Sequence, residues 1–441
     1  MARKRTVSWA TSLCALVAVS ALISACSQPA PEAPSTQPPA AEPKEQAAPA
    51  EPAAKAEAPA EPEAPAEEAR GCDRPETIGG TGTSETIGEG IDTITLVKIQ
   101  GNRYELGYWY GKILADQIAE TWKLVQSMAE KEGIPMAVVD MAVGALWQEK
   151  NFDVQPWNTE LQGIADGCAD AGQAQITFGV LKRIASIPDL SEYNCSLFAA
   201  WGAATLNGET FQMRNLDWTM DTGFQDYPIV AIYTPDDGIK HAVVGFAGVI
   251  GVSVGGMNDK GLAVSEIMGH FCDEETLEGM PFPFLLRDVL YFDSNLQSAL
   301  DRMKAATRTN QYHYAIADPN AEDPKGRLLF TSHTRFDEYV DNQSVDPHPC
   351  EDVEACHESL DDIIYWKNHN GKDNDVLFNA IKERYGQIDA QKAIEIAQAA
   401  CVDGTLVSII YHNSGNEMWV AFAEGLTPGP RQQYVHVKLD E

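Results

Sequence analysis

Apolar and polar positions fall into three stretches with different rhythms. From about residue 7 to 23 the chain is almost continuously apolar, and from 27 to 70 it is almost entirely Pro, Ala, Glu and Gln. Periodic patterns begin only beyond that. An apolar segment at 93–99 predicts a strand, closed by Gly101-Asn102 as a turn. From Tyr104 onward, Leu106, Tyr110, Ile113, Leu114, Ile118, Trp122 and Val125 recur mostly at three- and four-residue steps, which predicts an amphipathic helix. Gly107 and Gly111 stand one turn apart on it, spaced to admit a second backbone. Further helices are expected over 137–148, 159–171 and 178–186, with Pro188 breaking the last.

After Cys195 the rhythm shortens. Segments 229–233, 241–246, 248–254 and 262–267 are rich in branched residues and punctuated by glycine, so they read as strands. Helices follow over 284–291 and 296–305, the second capped by Asp293 or Ser294. Strands are expected at 313–316 and 328–331, then a polar loop over 332–360. Helices over 376–385 and 390–401 precede closing strands at 406–411, 417–422 and 434–439. Helices, a strand run, helices and strands again are what two packed sheets covered by helices produce.

The first stretch changes where the folded part is expected to reside. Arg3, Lys4 and Arg5 precede an apolar run too short for a comfortable membrane span. It ends in Leu22-Ile23-Ser24-Ala25-Cys26, which resembles the lipobox of bacterial lipoproteins. The resemblance implies a signal peptide over 1–25, lipidation at Cys26 and an extracytoplasmic protein anchored to a bacterial membrane, with Ser27 favouring the outer one. Several acyl chains on one residue anchor firmly where a single chain binds marginally. Residues 26–71 then read as a disordered linker, because they lack the apolar side chains that offset ordering entropy. Extended, such a linker reaches on the order of 130 Å at roughly 3.1 Å per residue.

The formal charge of −33 argues against nucleic acid and anionic lipid as electrostatic partners. Of nine cysteines, Cys14 leaves with the signal and Cys26 carries lipid. Cys72, Cys168, Cys195, Cys272, Cys350, Cys356 and Cys401 remain. Outside the cytoplasm thiols tend to pair, so an odd number leaves one reactive thiol, and Cys350 and Cys356 are expected to be stapled. No CxxC or HExxH spacing occurs, and neither a metal nor another cofactor is expected.

The chemistry concentrates between Asn194 and Trp218. A strand opens at Cys195, Asn207-Gly208 is a strong two-residue turn signal, and a second strand returns through Arg214-Asn215-Leu216-Asp217. The turn brings a thiol, a guanidinium and a carboxylate into one neighbourhood. Strict pairing sets Asp217 nearer Phe198 than Cys195, a mismatch that a bulge can adjust.

A cysteine opening a strand, a turn, then R-N-x-D-W resembles the cysteine N-terminal-nucleophile (Ntn) hydrolases. The group most similar is the acyl-CoA:6-aminopenicillanic-acid acyltransferase-like one (C45 peptidases), with choloylglycine hydrolases and penicillin V acylases more distant. Gly101–Gly111, Glu160–Gly167, Gly256–Leu262 and the C-terminal strands around Gly429-Pro430 are similar to family segments, in the same order. The resemblance implies an α+β fold, the Ntn αββα four-layer sandwich, over 72–441. It implies self-cleavage between Asn194 and Cys195, giving an α-chain (72–194) and a β-chain (195–441) that stay together as a heterodimer. Cys195 is then the nucleophile, Asp217 orients its freed α-amine and Arg214 stabilises the thiolate. Asn215 and Asn258 are the oxyanion or supporting candidates, and Asn342 and Asn368 lie in segments that could supply the oxyanion-hole asparagine. The family often has Gly where this chain has Asn194, and Met268 stands where bile-salt hydrolases carry an oxyanion asparagine.

The expected activity is acyl hydrolysis or acyl transfer on an amide or thioester of a small acylated substrate. Alternatives are a surface binding lipoprotein that keeps the fold without catalysis, a phospholipase B-like ester hydrolase, and a serine hydrolase using Ser253 within Gly251-Val252-Ser253-Val254-Gly255. The last requires a helix directly after the serine.

Overall fold

The computed structural model describes residues 70–191, 193–269, 275–341, 343, 359–367 and 372–440. The expected signal peptide, Cys26, the linker up to residue 69, Cys272, Asn342, Cys350, Cys356 and Asn368 lie outside the described residues. Two residues at the end of the expected linker, Arg70 and Gly71, are among those described. Arg70 pairs with Asp166 at 2.7 Å, and the Gly71 N–H donates to Gln162 Oε1 at 3.0 Å.

A hairpin of β1 (Thr81–Glu89) and β2 (Asp92–Gly101) leads into four helices, α1 (Arg103–Lys131), α2 (Met136–Leu146), α3 (Gln155–Asp170) and α4 (Phe178–Leu190). Then come β3 (Asn194–Gly202), β4 (Gly208–Asp217), β5 (Pro228–Pro235), β6 (His241–Phe246), β7 (Gly255–Asn258) and β8 (Ala263–Met268). Helices α5 (Phe282–Phe292) and α6 (Leu296–Ala305) precede β9 (Tyr312–Ala317), β10 (Gly326–Thr331), β11 (Phe336–Tyr339) and β12 (Ile363–Lys367). Helices α7 (Lys372–Arg384) and α8 (Ala390–Ala400) precede β13 (Thr405–His412), β14 (Glu417–Phe422) and β15 (Val435–Lys438).

The strands form two sheets. One has nine strands in the order β1-β2-β5-β6-β7-β8-β9-β10-β11, and the other six in the order β12-β3-β4-β13-β14-β15. Among the described strands, only β2 and β5 pair in parallel. The sheets face each other through β3, β4, β8 and β9. Helix α1 covers β1, β2 and β5, α5 covers β7 and β8, and α8 covers β4 and β13. The architecture is therefore the four-layer αββα sandwich. Strands β6, β8 and β9 are buried at every position, as strands covered on both faces must be.

Helices α1 and α3 meet backbone to backbone. A Cβ on Gly107 would fall 2.0 Å from the Glu160 carbonyl oxygen and one on Gly111 2.2 Å from that of Ile164. The reciprocal glycines, Gly163 and Gly167, would meet Tyr104 and Tyr108 carbonyls at 2.2 and 2.1 Å. The spacing of Gly107 and Gly111 thus has the close approach it implies.

Strand β11 falls within the expected polar loop, β12 has no counterpart among the expected strands, and four further features depart from the pattern. Strand β1 is polar and exposed, held by its ladder to β2 rather than by burial. Residues 248–254 are buried but form no strand, because Gly248 (φ +87°) and Gly251 (φ +89°) turn the backbone left-handed. Helix α4 runs through Pro188 to Leu190, since a proline near a helix end forfeits little of the bonding ladder. The cap of α6 is Asn295, whose side chain accepts from the Ser298 N–H, not Asp293 or Ser294.

Gly163→Ala should lower unfolding stability by about 3 kcal/mol, because the added methyl can be housed only by separating two backbones. Exposed Gly144, with open space where its Cβ would stand, is the control. Gly144→Ala should be neutral or gain up to about 1 kcal/mol. Chemical denaturation of both variants measures this, and equal effects would refute the close-packing account.

Candidate active site

The β3–β4 hairpin sets the site. Asn194 pairs with Asp217, Cys195 with Leu216 and Leu197 with Arg214. The register shifts between Ala200 and Gly202, and Gly202 pairs with Gly208. The connection is thus longer than the expected two-residue turn at Asn207-Gly208. That irregularity carries Asp217 past Phe198 to lie opposite the residue preceding Cys195.

Alternation along the strands sorts the side chains. Cys195, Leu197, Arg214 and Leu216 face the nine-stranded sheet, while Ser196, Asn215 and Asp217 face the α8 layer. On the inner face, Arg214 Nη2 donates to Cys195 Sγ at 3.3 Å. The same nitrogen lies 3.0 Å from Glu266 Oε2 on β8, and Arg214 Nε donates to the Glu266 carbonyl oxygen at 2.7 Å. The Tyr193 hydroxyl donates to Glu266 Oε1 at 3.0 Å. Cys195, Arg214 and Glu266 have no exposed surface.

Burial pushes the Cys195 thiol far above its ordinary value; Arg214 and the Asp217 backbone N–H pull it down, and Glu266 and Asp217 oppose them. Burial also raises Glu266 to about 7, outweighing the Arg214 guanidinium and the Tyr193 hydroxyl. Glu266 is the residue that pattern reading did not find. Its one signal is a charge within the apolar strand Ala263–Met268.

On the outer face, the Asp217 carboxylate accepts from Thr405 Oγ1 at 2.5 Å. Asn215 is corrected as an oxyanion candidate. Its amide donates to the Ala397 carbonyl at 3.0 Å and accepts from Ser408 at 2.7 Å, on the side of the sheet away from the sulfur. It ties β4 to α8. Asn258 is likewise a turn residue. Its amide donates to the Leu290 and Asp293 carbonyls, and its oxygen accepts from the Lys260 and Leu262 N–H groups. Ser253 is followed by strand β7 rather than a helix, which removes the nucleophile-elbow reading.

None of Cys72, Cys168, Cys195 and Cys401 forms a disulfide. Disulfide pairing therefore does not single out Cys195 among them. Cys168, for example, fills the α1–α3 contact, its sulfur 3.4 Å from the Gly111 carbonyl oxygen. What distinguishes Cys195 is its guanidinium. Among the described residues no cluster of three His, Cys, Asp or Glu could hold a metal ion, and no helix is long and apolar enough to cross a membrane.

A cavity of about 30 Å³ adjoins this cluster. Leu216, the cross-strand partner of Cys195, lines it with Trp218, Phe224, Phe246 and, from upstream of the nucleophile, Ile187 and Tyr193. Cross-strand partners share a face with Cβ atoms roughly 5 Å apart, so the cavity abuts the sulfur's side of the hairpin.

With this geometry in hand, comparison with known proteins gives related results. A sequence profile of the acyl-coenzyme A:6-aminopenicillanic acid acyl-transferase family matches residues 204–324, which include Arg214, Asp217 and Glu266 but begin after Cys195. Protein dcd1B of Dictyostelium discoideum is 26% identical over 377 residues, covering 78% of this chain and 71% of its own. Protein dcd1A of the same organism is 26% identical over 374 residues, covering 78% and 82%. A solved Caenorhabditis elegans N-acylethanolamine-hydrolyzing acid amidase ortholog is 16% identical. It covers 54% of this chain and 98% of its own, with a TM-score of 0.39.

The raised Glu266 value has a stability consequence. Between its unfolded value of 4.5 and about 7, the folded state holds a proton that the unfolded state has lost. Stability from this group is therefore greatest at or below the lower value, falls by about 1.4 kcal/mol per pH unit across the window and is flat above it. Denaturation of wild type and Glu266→Gln at intervals from pH 4.5 to 8 should show a shallower fall in the variant. An unchanged slope would mean that Glu266 does not titrate in that window.

Proposed function

We propose that this protein is an acyl hydrolase or acyltransferase of the N-terminal-nucleophile type, which makes its own nucleophile by cutting between Asn194 and Cys195. The observation that carries the reading is the guanidinium of Arg214 at 3.3 Å from the Cys195 sulfur, with Asp217 across the ladder from Asn194.

The cut begins when the Cys195 sulfur attacks the Asn194 carbonyl carbon. An S–C bond forms, the C–N bond breaks, and the departing nitrogen takes up the thiol proton to become the α-amine of Cys195. Water then hydrolyses the thioester, leaving Asn194 as a carboxylate and restoring the thiol. Arg214 favours the anionic sulfur, and Asp217 holds the new amine.

The freed amine is the base for catalysis. An α-amine titrates near 8, a lysine near 10.4, so the terminal amine carries far more neutral base at pH 7. It takes the thiol proton as the sulfur attacks the acyl carbonyl of an amide or thioester. It returns the proton to the leaving group, and the acyl-enzyme passes its acyl group to water or an amine. The apolar wall beside Leu216 is where the acyl group would lie once the upstream segment moves aside. The N-terminal segment supports a lipid-anchored, extracytoplasmic placement through Cys26, with the linker as spacer.

Intact-mass analysis and N-terminal sequencing of the purified chain should find a fragment that begins at Cys195. Cys195→Ala should abolish both the fragment and acyl-amide hydrolysis. Asp217→Asn should lower turnover of the processed protein by a factor of about 10² or more, in line with the loss of a positioned acid–base partner. A chain that stays intact and hydrolyses acyl amides equally well with alanine at 195 would refute the proposal.

A further inference from the structure

The cavity beside Cys195 is lined mainly by apolar side chains, and of the three hydroxyl-bearing residues on its wall Tyr193 is engaged by Glu266 while two serines have no partner. Ser191 and Ser253 both line it. Ser191 is 2% and Ser253 9% exposed, and each Oγ is buried with no hydrogen-bond partner. A buried hydroxyl without a partner is costly, and native interiors rarely keep one without cause. Two such serines on the wall of one small, mainly apolar space leave it mismatched to a plain hydrocarbon.

The two serines have different standing after the cut. Ser191 precedes the scissile bond and stays on the upstream chain. Ser253 lies on the buried loop between β6 and β7, downstream of the bond. There Gly251 and the Val252 N–H bond to the Pro283 carbonyl (2.8 Å) fix the backbone. This loop shapes the pocket in the mature protein. Its apolar residues Val249 and Val254 join the wall, and Ser253 sets a donor and acceptor between them.

We propose that the acyl group this enzyme accepts carries an oxygen substituent along its chain, held by Ser253 and, while the upstream segment is in place, by Ser191. This rests on the reading of Cys195 as the acyl acceptor and adds the class of acyl group to it. Ser253 is a specificity determinant and not a catalytic residue, since it meets the acyl chain and not the reacting carbonyl. A site built to hydrogen-bond a hydroxyl rejects the analogue that lacks it, because its own polar atom is then stranded.

The test uses self-processed full-length protein and a set of acyl anilides: hexanoyl, its monohydroxy isomers with the oxygen on each chain carbon in turn, and a keto analogue of the best isomer. At least one oxygenated anilide should exceed hexanoyl in kcat/KM by about 10- to 100-fold. Ser253→Ala should bring that ratio toward unity, while Ser253→Thr, which restores a hydroxyl, should recover part of it. The hydroxy and keto arms separate a donated from an accepted bond.

Calorimetric titration of the same variants with hexanoic acid and the matching hydroxy acids reads the preference without any reaction. Hydrolysis with no oxygen preference, or a preference that survives Ser253→Ala, overturns the inference and leaves the enzymatic reading standing. A Ser253-dependent affinity for the hydroxy acids with no hydrolysis of any anilide sinks the enzymatic reading and keeps the pocket assignment. Equal affinity for all the acids overturns the inference whether or not anilides are cut.

Discussion

A guanidinium with no exposed surface has to be matched by a carboxylate, and in this fold the match is made across the gap between the two sheets. Arg214 projects from the six-stranded sheet, Glu266 from the nine-stranded one. Glu266 meets the guanidinium with both its backbone carbonyl oxygen and its side chain, so losing the side chain would strand a buried donor. The contact therefore fixes how β4 sits over β8. That in turn fixes the third group on the guanidinium, the Cys195 sulfur. The sulfur's place is set by the core itself and not by a mobile loop. Tyr193 extends the constraint upstream: its hydroxyl on Glu266 pins the chain two residues before the nucleophile.

The same economy explains why a cut at residue 195 need not release either piece. Strands β1 and β2 lie upstream of it, yet they extend the large sheet through the parallel β2–β5 pairing. Arg103 and Glu160, both upstream, join Arg287 downstream in a buried network, with Glu160 at 3.2 Å from one guanidinium and 3.4 Å from the other. Arg287 also donates to His241 at 2.6 Å and lies over the Tyr233 ring. The two segments share one hydrophobic core. Separating them would expose apolar surface and strand paired charges, so the two pieces of a cut chain would stay together.

Local patterns carried much of this in the sequence, and contacts between distant elements did not. The glycine stripe at Gly107 and Gly111 predicts a backbone approach because nothing but glycine permits one, and α3 supplies the reciprocal pair. The hairpin from Cys195 to Asp217 is legible because its partners are joined by one turn. Glu266 escaped for the opposite reason. Its meaning depends on β8 packing against β4 from another sheet, and strand periodicity cannot report which sheets face. Residues 248–254 misled through composition, since an apolar run reads as a strand until two left-handed glycines fold it into a buried loop. Asn215 and Asn258 have side chains suited to an oxyanion, but alternation and turn geometry direct their amides into structural bonds.

The intact chain also contains the reason its thiol would stay harmless until processed. The Cys195 sulfur is sealed from solvent and held strongly toward its protonated form by burial, so it reacts slowly with external electrophiles. The one carbonyl it cannot be sealed from is the one bonded to its own nitrogen. A cluster that lowers the cost of a buried thiolate by only a few hydrogen bonds therefore favours an intramolecular attack over any bimolecular one, through proximity alone. The proposed cleavage would then change the chemistry in a single step. An amide nitrogen that cannot accept a proton becomes an amine that can, directly attached to the residue whose thiol must lose one. The upstream segment that walls the pocket through Ile187, Ser191 and Tyr193 would become a chain end. Under the proposed cut, latency and activation would arise from one covalent bond, because that bond both withholds the base and closes the cavity where the acyl group is proposed to bind.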